Sequence, residues 1–284
     1  KKDNMQWTTT LTFAAAPISP NNNPKHQNNA SKKNKPDAQL IQEYKSFANE
    51  LADAARTAIL PYWRLPSLEV ESKYESGRSI SQTISPVTAA DRAAERVMRD
   101  LIEKRYPTHG ICGEEYGSVR LDADWVWVLD PIDGTKSFMT GKPLFGTLVA
   151  ALYQGVPTIG IIDQCVLKER WVGVLGEPTT LNDVPISCDS DETPTELKHA
   201  IMYTTTPDMF TKKEESQRFR AIRKAVNTIN YGADCYGYAL VASGFGAHLV
   251  VEADLGLYDY CAIVPVVEGA GGIITDWRGG ELML

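Results

Sequence analysis

The chain has 284 residues, 43% of them apolar, enough to bury a sizeable core as one large domain or two closely joined ones. Its formal net charge of -7 at pH 7 argues against a nucleic-acid binder, whose surface needs clustered Lys and Arg, and no apolar run nears the roughly 18 residues that span a bilayer. Five scattered cysteines and four scattered histidines show neither C-x-x-C nor H-x-x-x-H spacing, so a zinc site and a disulfide framework are disfavoured and a reducing compartment is expected.

Residues 1–36 carry seven Asn, four Pro and six Lys against a single acid, Asp3, and are too polar to bury a core. A leader without structure is expected there, either a plain tail or a transit-peptide-like segment directing the chain to a plastid; without such a peptide the expectation is cytoplasmic. From Pro36-Asp37 onward Leu40, Ile41, Tyr44, Phe47, Leu51, Ala55 and Ile59 recur with helical period and stop near Pro61. The polar stretch from Tyr74 to Ser85 reads as a loop. Thr88 then caps a second helix with Ala93, Ala94, Val97, Met98, Leu101 and Ile102 on one face. After Gly110 short apolar runs predict strands at 125–129, 145–153, 157–162 and 171–174. The last third alternates: strand 200–204, helices 214–226 and 236–243, strand 248–251, helix 261–270 and strand 272–275. The pattern is an N-terminal α+β half over residues 37–175 followed by an α/β half over 176–284.

Val126, Trp127, Val128 and Leu129 run straight into Asp130, which puts that carboxylate at a strand's C-terminal end, where α/β folds seat ligands. Asp133 follows three residues on. Pro131 stiffens the bend, and Gly134 lets the backbone approach a ligand, with the Gly134 and Thr135 amides placed to donate to a phosphate oxygen. A turn needs at most one Asp and one Gly, so the second Asp and the Thr of Asp130-Pro131-Ile132-Asp133-Gly134-Thr135 point to chemistry. Two carboxylates and a turn carbonyl form an oxygen-only set that suits Mg²⁺ or Mn²⁺, and paired ions would clamp the attacking and leaving oxygens of a phosphoryl transfer. Glu114-Glu115, Asp91 and Asp259 could complete the site. Each has a plainer role open to it: a solvated turn for Glu114-Glu115, a helix-dipole partner for Asp91, an N-cap for Asp259.

With these motifs in order, the sequence resembles the inositol monophosphatase superfamily. The matching elements are Thr88-Ala89-Ala90-Asp91, Gly113-Glu114-Glu115, the Asp130 segment, and Tyr258-Asp259-Tyr260-Cys261-Ala262. The resemblance covers residues 38 to 280 and implies a layered αβαβα sandwich, usually a homodimer, with two or three Mg²⁺ ions per site. It implies Glu114, Asp130, the Ile132 carbonyl and Asp133 at the tighter metal sites, Asp91 and Asp259 at the others, and Gly134, Thr135 and Asp133 around the phosphate. The mechanism it implies is in-line attack by a water that the ions make acidic and that Thr135 with Asp91, or Glu114, orients and deprotonates.

Gly134-Thr135-Lys136-Ser137-Phe138, Asp234-Cys235-Tyr236-Gly237-Tyr238-Ala239 and the run from Glu252 to Asp259 are similar to the histidinol-phosphate phosphatases of plants and bacteria within that superfamily. This implies a small phosphorylated amino-alcohol substrate, L-histidinol phosphate, contacted by Asp234, Glu252 and Asp259; an inositol or sugar phosphate is the alternative. A carboxylate at Asp234 suits a cationic substrate, although from its position Asp234 could instead cap the following helix. The chain stops at Leu284, where relatives continue through a final strand and helix, so a truncated C-terminus or a differently completed fold is expected.

Overall fold

Asp37 and Thr88 each open a helix, and the two helices cover one face of a long mixed sheet. The computed structural model describes residues 13–15, 36–65, 70–74, 84–189, 193–194 and 196–284, with the backbone alone for 13–15, 70–74 and 84–87. In helix α1 (Ala38–Ile59) the Asp37 carboxylate accepts from the Gln39 and Leu40 amides at 2.8 and 3.3 Å. Its buried face is Tyr44, Phe47, Leu51, Ala55 and Ile59, and a 3-10 turn containing Pro61 ends it. Helix α2 (Ala89–Arg105) buries Ala94, Met98 and Ile102 against α1, each side chain contributing on the order of 1–3 kcal/mol.

Eight strands form the sheet beneath, in the order Val184–Pro185, Thr180–Leu181, Glu169–Val174, Val156–Gln164, Gly146–Tyr153, Trp125–Asp133, Gly110–Gly113, Gly117–Val119. Side chains of Trp125–Asp133 alternate between two apolar layers: Trp127 and Leu129 meet α1 and α2, while Val126 and Val128 face the helices Cys235–Ala242 and Ile263–Gly269. Beyond that helix layer lies a second sheet, in the order Thr228–Tyr231, Ile201–Thr204, Leu249–Val251, Phe13–Ala15, Ile273–Thr275. A last helix, Lys213–Ala225, packs Phe219 on its outer face with Met202, Leu249 and Val251. The five layers are the αβαβα sandwich that the resemblance implies.

Several elements differ from expectation. Phe13–Ala15 is a strand, antiparallel to both of its neighbours, where a leader without structure was expected. An apolar triplet is lost in the average of a polar stretch, yet pairing on both edges satisfies its backbone. The rest of residues 1–35 lies outside the described residues. Val70–Tyr74 and Ile84–Thr88 form an antiparallel hairpin, so Tyr74 and Ser85 are strand residues; 75–83 are likewise outside the described residues. The helix expected at 261–270 is Ile263–Gly269, with Pro265 in its first turn, where a missing N–H costs nothing, and a separate short helix Leu257–Tyr260 precedes it. Thr135–Met139, Thr180–Leu181, Val184–Pro185 and Thr228–Tyr231 are too short to show a period. No helix among the described residues is long and apolar enough to cross a membrane. All five cysteines are buried and free.

One buried ion cluster pins α1 to the sheet. Asp163, fully buried, accepts from Arg56 at 2.6 and 3.1 Å and from Arg170 at 2.7 Å, and Arg170 also reaches Asp53 at 2.7 Å. Asp163→Ala strands the Arg56 guanidinium and leaves Arg170 its outer carboxylate partner Asp53, and chemical denaturation is expected to show a loss of about 3–5 kcal/mol. A loss under about 1 kcal/mol would mean that water replaces the carboxylate there.

Candidate active site

A one-residue bulge makes the site. Asp130 pairs with Leu148 but Asp133 with Gly146, so three steps along Trp125–Asp133 match two along Gly146–Tyr153. In an unbroken strand residues 130 and 133 would point to opposite faces. The bulge instead leaves both Leu129 and Ile132 in the core under α1 and α2, and brings Asp130 and Asp133 together on the other side. Thr147 holds it from the neighbouring strand, its hydroxyl donating to the Pro131 carbonyl at 2.8 Å. Gly110–Gly113 runs parallel to this strand and ends level with it, Gly113 opposite Leu129, and the Glu114 amide donates to the Leu129 carbonyl at 3.2 Å. Glu114 therefore leaves the sheet beside Asp130.

One oxygen each from Asp130, Asp133 and Asp259 lies within 4.8 Å of the other two. Asp130 is held well above the ordinary carboxylate value by burial, then by the charges of Glu114, Asp133, Asp259 and Asp91. Asp259 is raised by burial and by Asp133 and Glu114, and Asp91 is pushed up to about 6, mainly by burial. Asp130, Asp133 and Asp259 thus converge, and Glu114 and Asp91 lie near enough for their charges to act on Asp130. Asp91 and Asp259 are also capping residues: Asp91 Oδ2 accepts from the Thr88 amide at 2.8 Å and the Thr88 hydroxyl at 2.5 Å, and Asp259 Oδ2 from the Gly256 amide at 2.6 Å. Asp259 sits inside the short helix Leu257–Tyr260 rather than ahead of a helix. The second oxygen of Asp91 and one oxygen of Asp130 are buried with no hydrogen-bond partner among the described residues. Orphaned carboxylate oxygens in an all-oxygen set, crowded by like charge, fit a hard divalent cation.

Gly134 follows with φ 90, a left-handed conformation, and opens the one-turn helix Thr135–Met139; a Cβ there would lie 2.9 Å from the Leu144 carbonyl and 3.0 Å from Asp234 Oδ2. Thr135 donates its hydroxyl to the Ile132 carbonyl at 3.1 Å. Asp91 and Thr135, expected to orient a water together, are each also tied to their own turn by these bonds. Alongside lies a cavity of about 570 Å³ lined by Asp133, Lys136, Thr205, Asp234, Glu252 and Asp259 among others.

Asp234 occupies the cap position of Cys235–Ala242, but its side chain makes no capping bond. Asp133 supplies that bond, accepting the Cys235 amide across the two halves of the molecule. Asp234 is free to face the cavity. Burial pushes it up to about 6, against the pull of Thr205 and Lys136, and burial pushes Glu252 up to about 7.

Two residues that shape the site carry no motif. Fully buried Glu95 accepts the Glu115 and Tyr116 amides at 2.7 and 3.1 Å and pairs with Arg99 at 2.7 Å, fixing the turn that carries Glu114. Gly113 makes room for it, since a Cβ there would lie 2.0 Å from Glu95 Oε1. The i, i+4 spacing of Asp91, Glu95 and Arg99 was the available signal, but it describes any solvated helix face equally well. Thr205, the other, gave no signal at all.

A five-layered sandwich with an oxygen-only acidic cluster at the carboxyl edge of its large sheet defines a phosphatase of small phosphate esters. The chain belongs to the inositol monophosphatase family, whose model matches residues 40–284. It is 46% identical to the bifunctional phosphatase IMPL2, chloroplastic, of Arabidopsis thaliana, over 86% of this chain and 67% of that protein. It is 31% identical to a histidinol-phosphatase of Chlorobaculum parvum, over 88% of this chain and 89% of the other. An inositol monophosphatase from Zymomonas mobilis, 42% identical, superposes with a TM-score of 0.73 over 86% of this chain and 89% of its own.

Proposed function

We propose that this phosphatase depends on Mg²⁺ and hydrolyses L-histidinol phosphate to L-histidinol and phosphate. Asp130, Asp133 and Asp259, which cluster, would hold the ions together with Glu114, Asp91 and the Ile132 carbonyl. When bound, the cations supply the positive charge that offsets these carboxylates, acidify water and neutralise the phosphate. The Gly134 and Thr135 amides, at the start of a helical turn, donate to the phosphate oxygens. Asp91, with one oxygen unpartnered, and Glu114 are the acceptors for the proton of the attacking water; Thr135, tied to Ile132, positions the turn.

The observation that carries the substrate is Asp234. It stands where a cap is expected, leaves the capping to Asp133, and joins Glu252 in the wall of the cavity beside Gly134. A polyol's hydroxyls can donate to two buried carboxylates, but an ammonium group also brings the positive charge that offsets theirs. The identity to a histidinol-phosphatase along most of both chains supports this reading. An inositol or other polyol phosphate is the second reading, favoured by the likeness to the Zymomonas mobilis enzyme. The assay is phosphate release with Mg²⁺, comparing kcat/KM for L-histidinol phosphate and inositol 1-phosphate beside an EDTA control. At least about tenfold preference for the cationic ester is expected, the worth of one charge-assisted bond. Preference for inositol 1-phosphate refutes the substrate, and release insensitive to EDTA refutes the metal.

We also assign the chain to a plastid and to a homodimer. The chloroplastic relative supports the first and the family resemblance the second.

A further inference from the structure

Just beyond strand Ile201–Thr204, Thr205 touches two carboxylates that the chain brings in from separate elements. Its amide and its hydroxyl both meet Glu252 Oε1, at 2.9 and 2.5 Å, and the same hydroxyl lies 3.2 Å from Asp234 Oδ1. A threonine hydroxyl has one hydrogen to donate. Two acceptors compete for it, and the one it does not serve faces an oxygen lone pair. When both carboxylates are ionised, the trio is one donor short.

Neither carboxylate can turn away. Asp234 is held at φ 48 and ψ -138, a backbone conformation that a residue with a Cβ rarely adopts, and the next amide is bound by Asp133. Glu252 is buried; Tyr238 reaches its other oxygen at 3.3 Å, and the Trp277 indole holds its carbonyl at 3.1 Å. Thr205, Asp234 and Glu252 all line the cavity next to Asp133; Lys136 lines it too and its charge acts on Asp234, so a further donor comes from Lys136 or from what enters the cavity. We propose that Thr205 is the positioning residue of a subsite for an ammonium group, holding Asp234 and Glu252 side by side so that one N–H₃⁺ donates to both. This inference rests on the cationic substrate proposed above and names the device that selects it.

Thr205→Val keeps the shape and removes the hydroxyl, Thr205→Ala removes it with less bulk, and Thr205→Ser keeps it. With Mg²⁺ present, T205V and T205A are expected to raise KM for L-histidinol phosphate about tenfold with kcat within about twofold, because the hydroxyl lies away from the reacting phosphate. For inositol 1-phosphate, which has no cation, kcat/KM should stay within about twofold, and T205S should match wild type on both esters. Equal losses on the two esters would reduce Thr205 to a fold residue and overturn the inference. So would a wild-type preference that survives T205V and T205A unchanged, which leaves the substrate reading standing. A wild-type enzyme with no preference for the cationic ester overturns both.

Discussion

Asp130→Asn is expected to lower the Mg²⁺-dependent rate of phosphate release by on the order of 10³-fold while raising the melting temperature of the metal-free protein. The two effects share a cause. Asp130 is buried, one of its oxygens has no hydrogen-bond partner among the described residues, and its surroundings add the charges of Glu114, Asp133, Asp259 and Asp91. Such a group, without a cation, is repelled by the four acids named. An amide of the same shape removes one charge from that crowd, which steadies the metal-free fold and weakens the hold on a cation. Phosphate release and thermal melting in EDTA, on the same preparation, separate the outcomes. Turnover at the wild-type rate would remove Asp130 from the site. A metal-free melting temperature several degrees below wild type would show that the carboxylate supports the fold.

That contrast between chemistry and fold also marks how far the sequence could be followed. Asp130 was legible because a bulky strand ran into it and because Asp133, Gly134 and Thr135 exceeded what a turn requires. What brings Asp130 and Asp133 to one side was not, since the bulge depends on the register with Gly146–Tyr153 and on Thr147, sixteen residues away from the carbonyl it holds. Asp91 and Asp259 had two readings, chemical and capping; the structure shows the capping, one oxygen of each on a backbone amide, and sets Asp259 in the acidic cluster. Asp234 shows the reverse: its position announced a cap, but the bond went to Asp133, which no local pattern could reveal. Thr205 meets Glu252 across 47 residues, and Glu95 looks like any helix acid until the turn at Glu115 folds onto it. Local propensity found the helices and most strands; the contacts that tune the site are tertiary.

The crowding of acids makes the metal-free protein pH-sensitive in a direction opposite to ordinary acid denaturation. Asp91 is raised from 3.8 to about 6, Asp234 from 3.8 to about 6 and Glu252 from 4.5 to about 7, all mainly by burial, and Asp130, Asp133 and Asp259 also stand well above the usual range. Between pH 4 and 7 the native state therefore holds more protons than the unfolded chain, and its stability falls as pH rises. Each of Asp91, Asp234 and Glu252 costs on the order of 3 kcal/mol when ionised at neutral pH, the native state losing what the unfolded chain does not. In EDTA the melting temperature is expected to drop steadily from pH 5 to pH 8. Saturating Mg²⁺ should flatten much of that slope, because a cation favours the ionised form of the acids around Asp130, and at about 100 times its Kd it adds roughly 2.7 kcal/mol by mass action alone. The slope that remains belongs to Asp234 and Glu252, whose partner is not a metal, and adding L-histidinol should remove it. Parallel curves with and without Mg²⁺ would mean that the cation does not meet these carboxylates, and an EDTA curve that rises with pH would mean that they are ionised in the free protein at no cost.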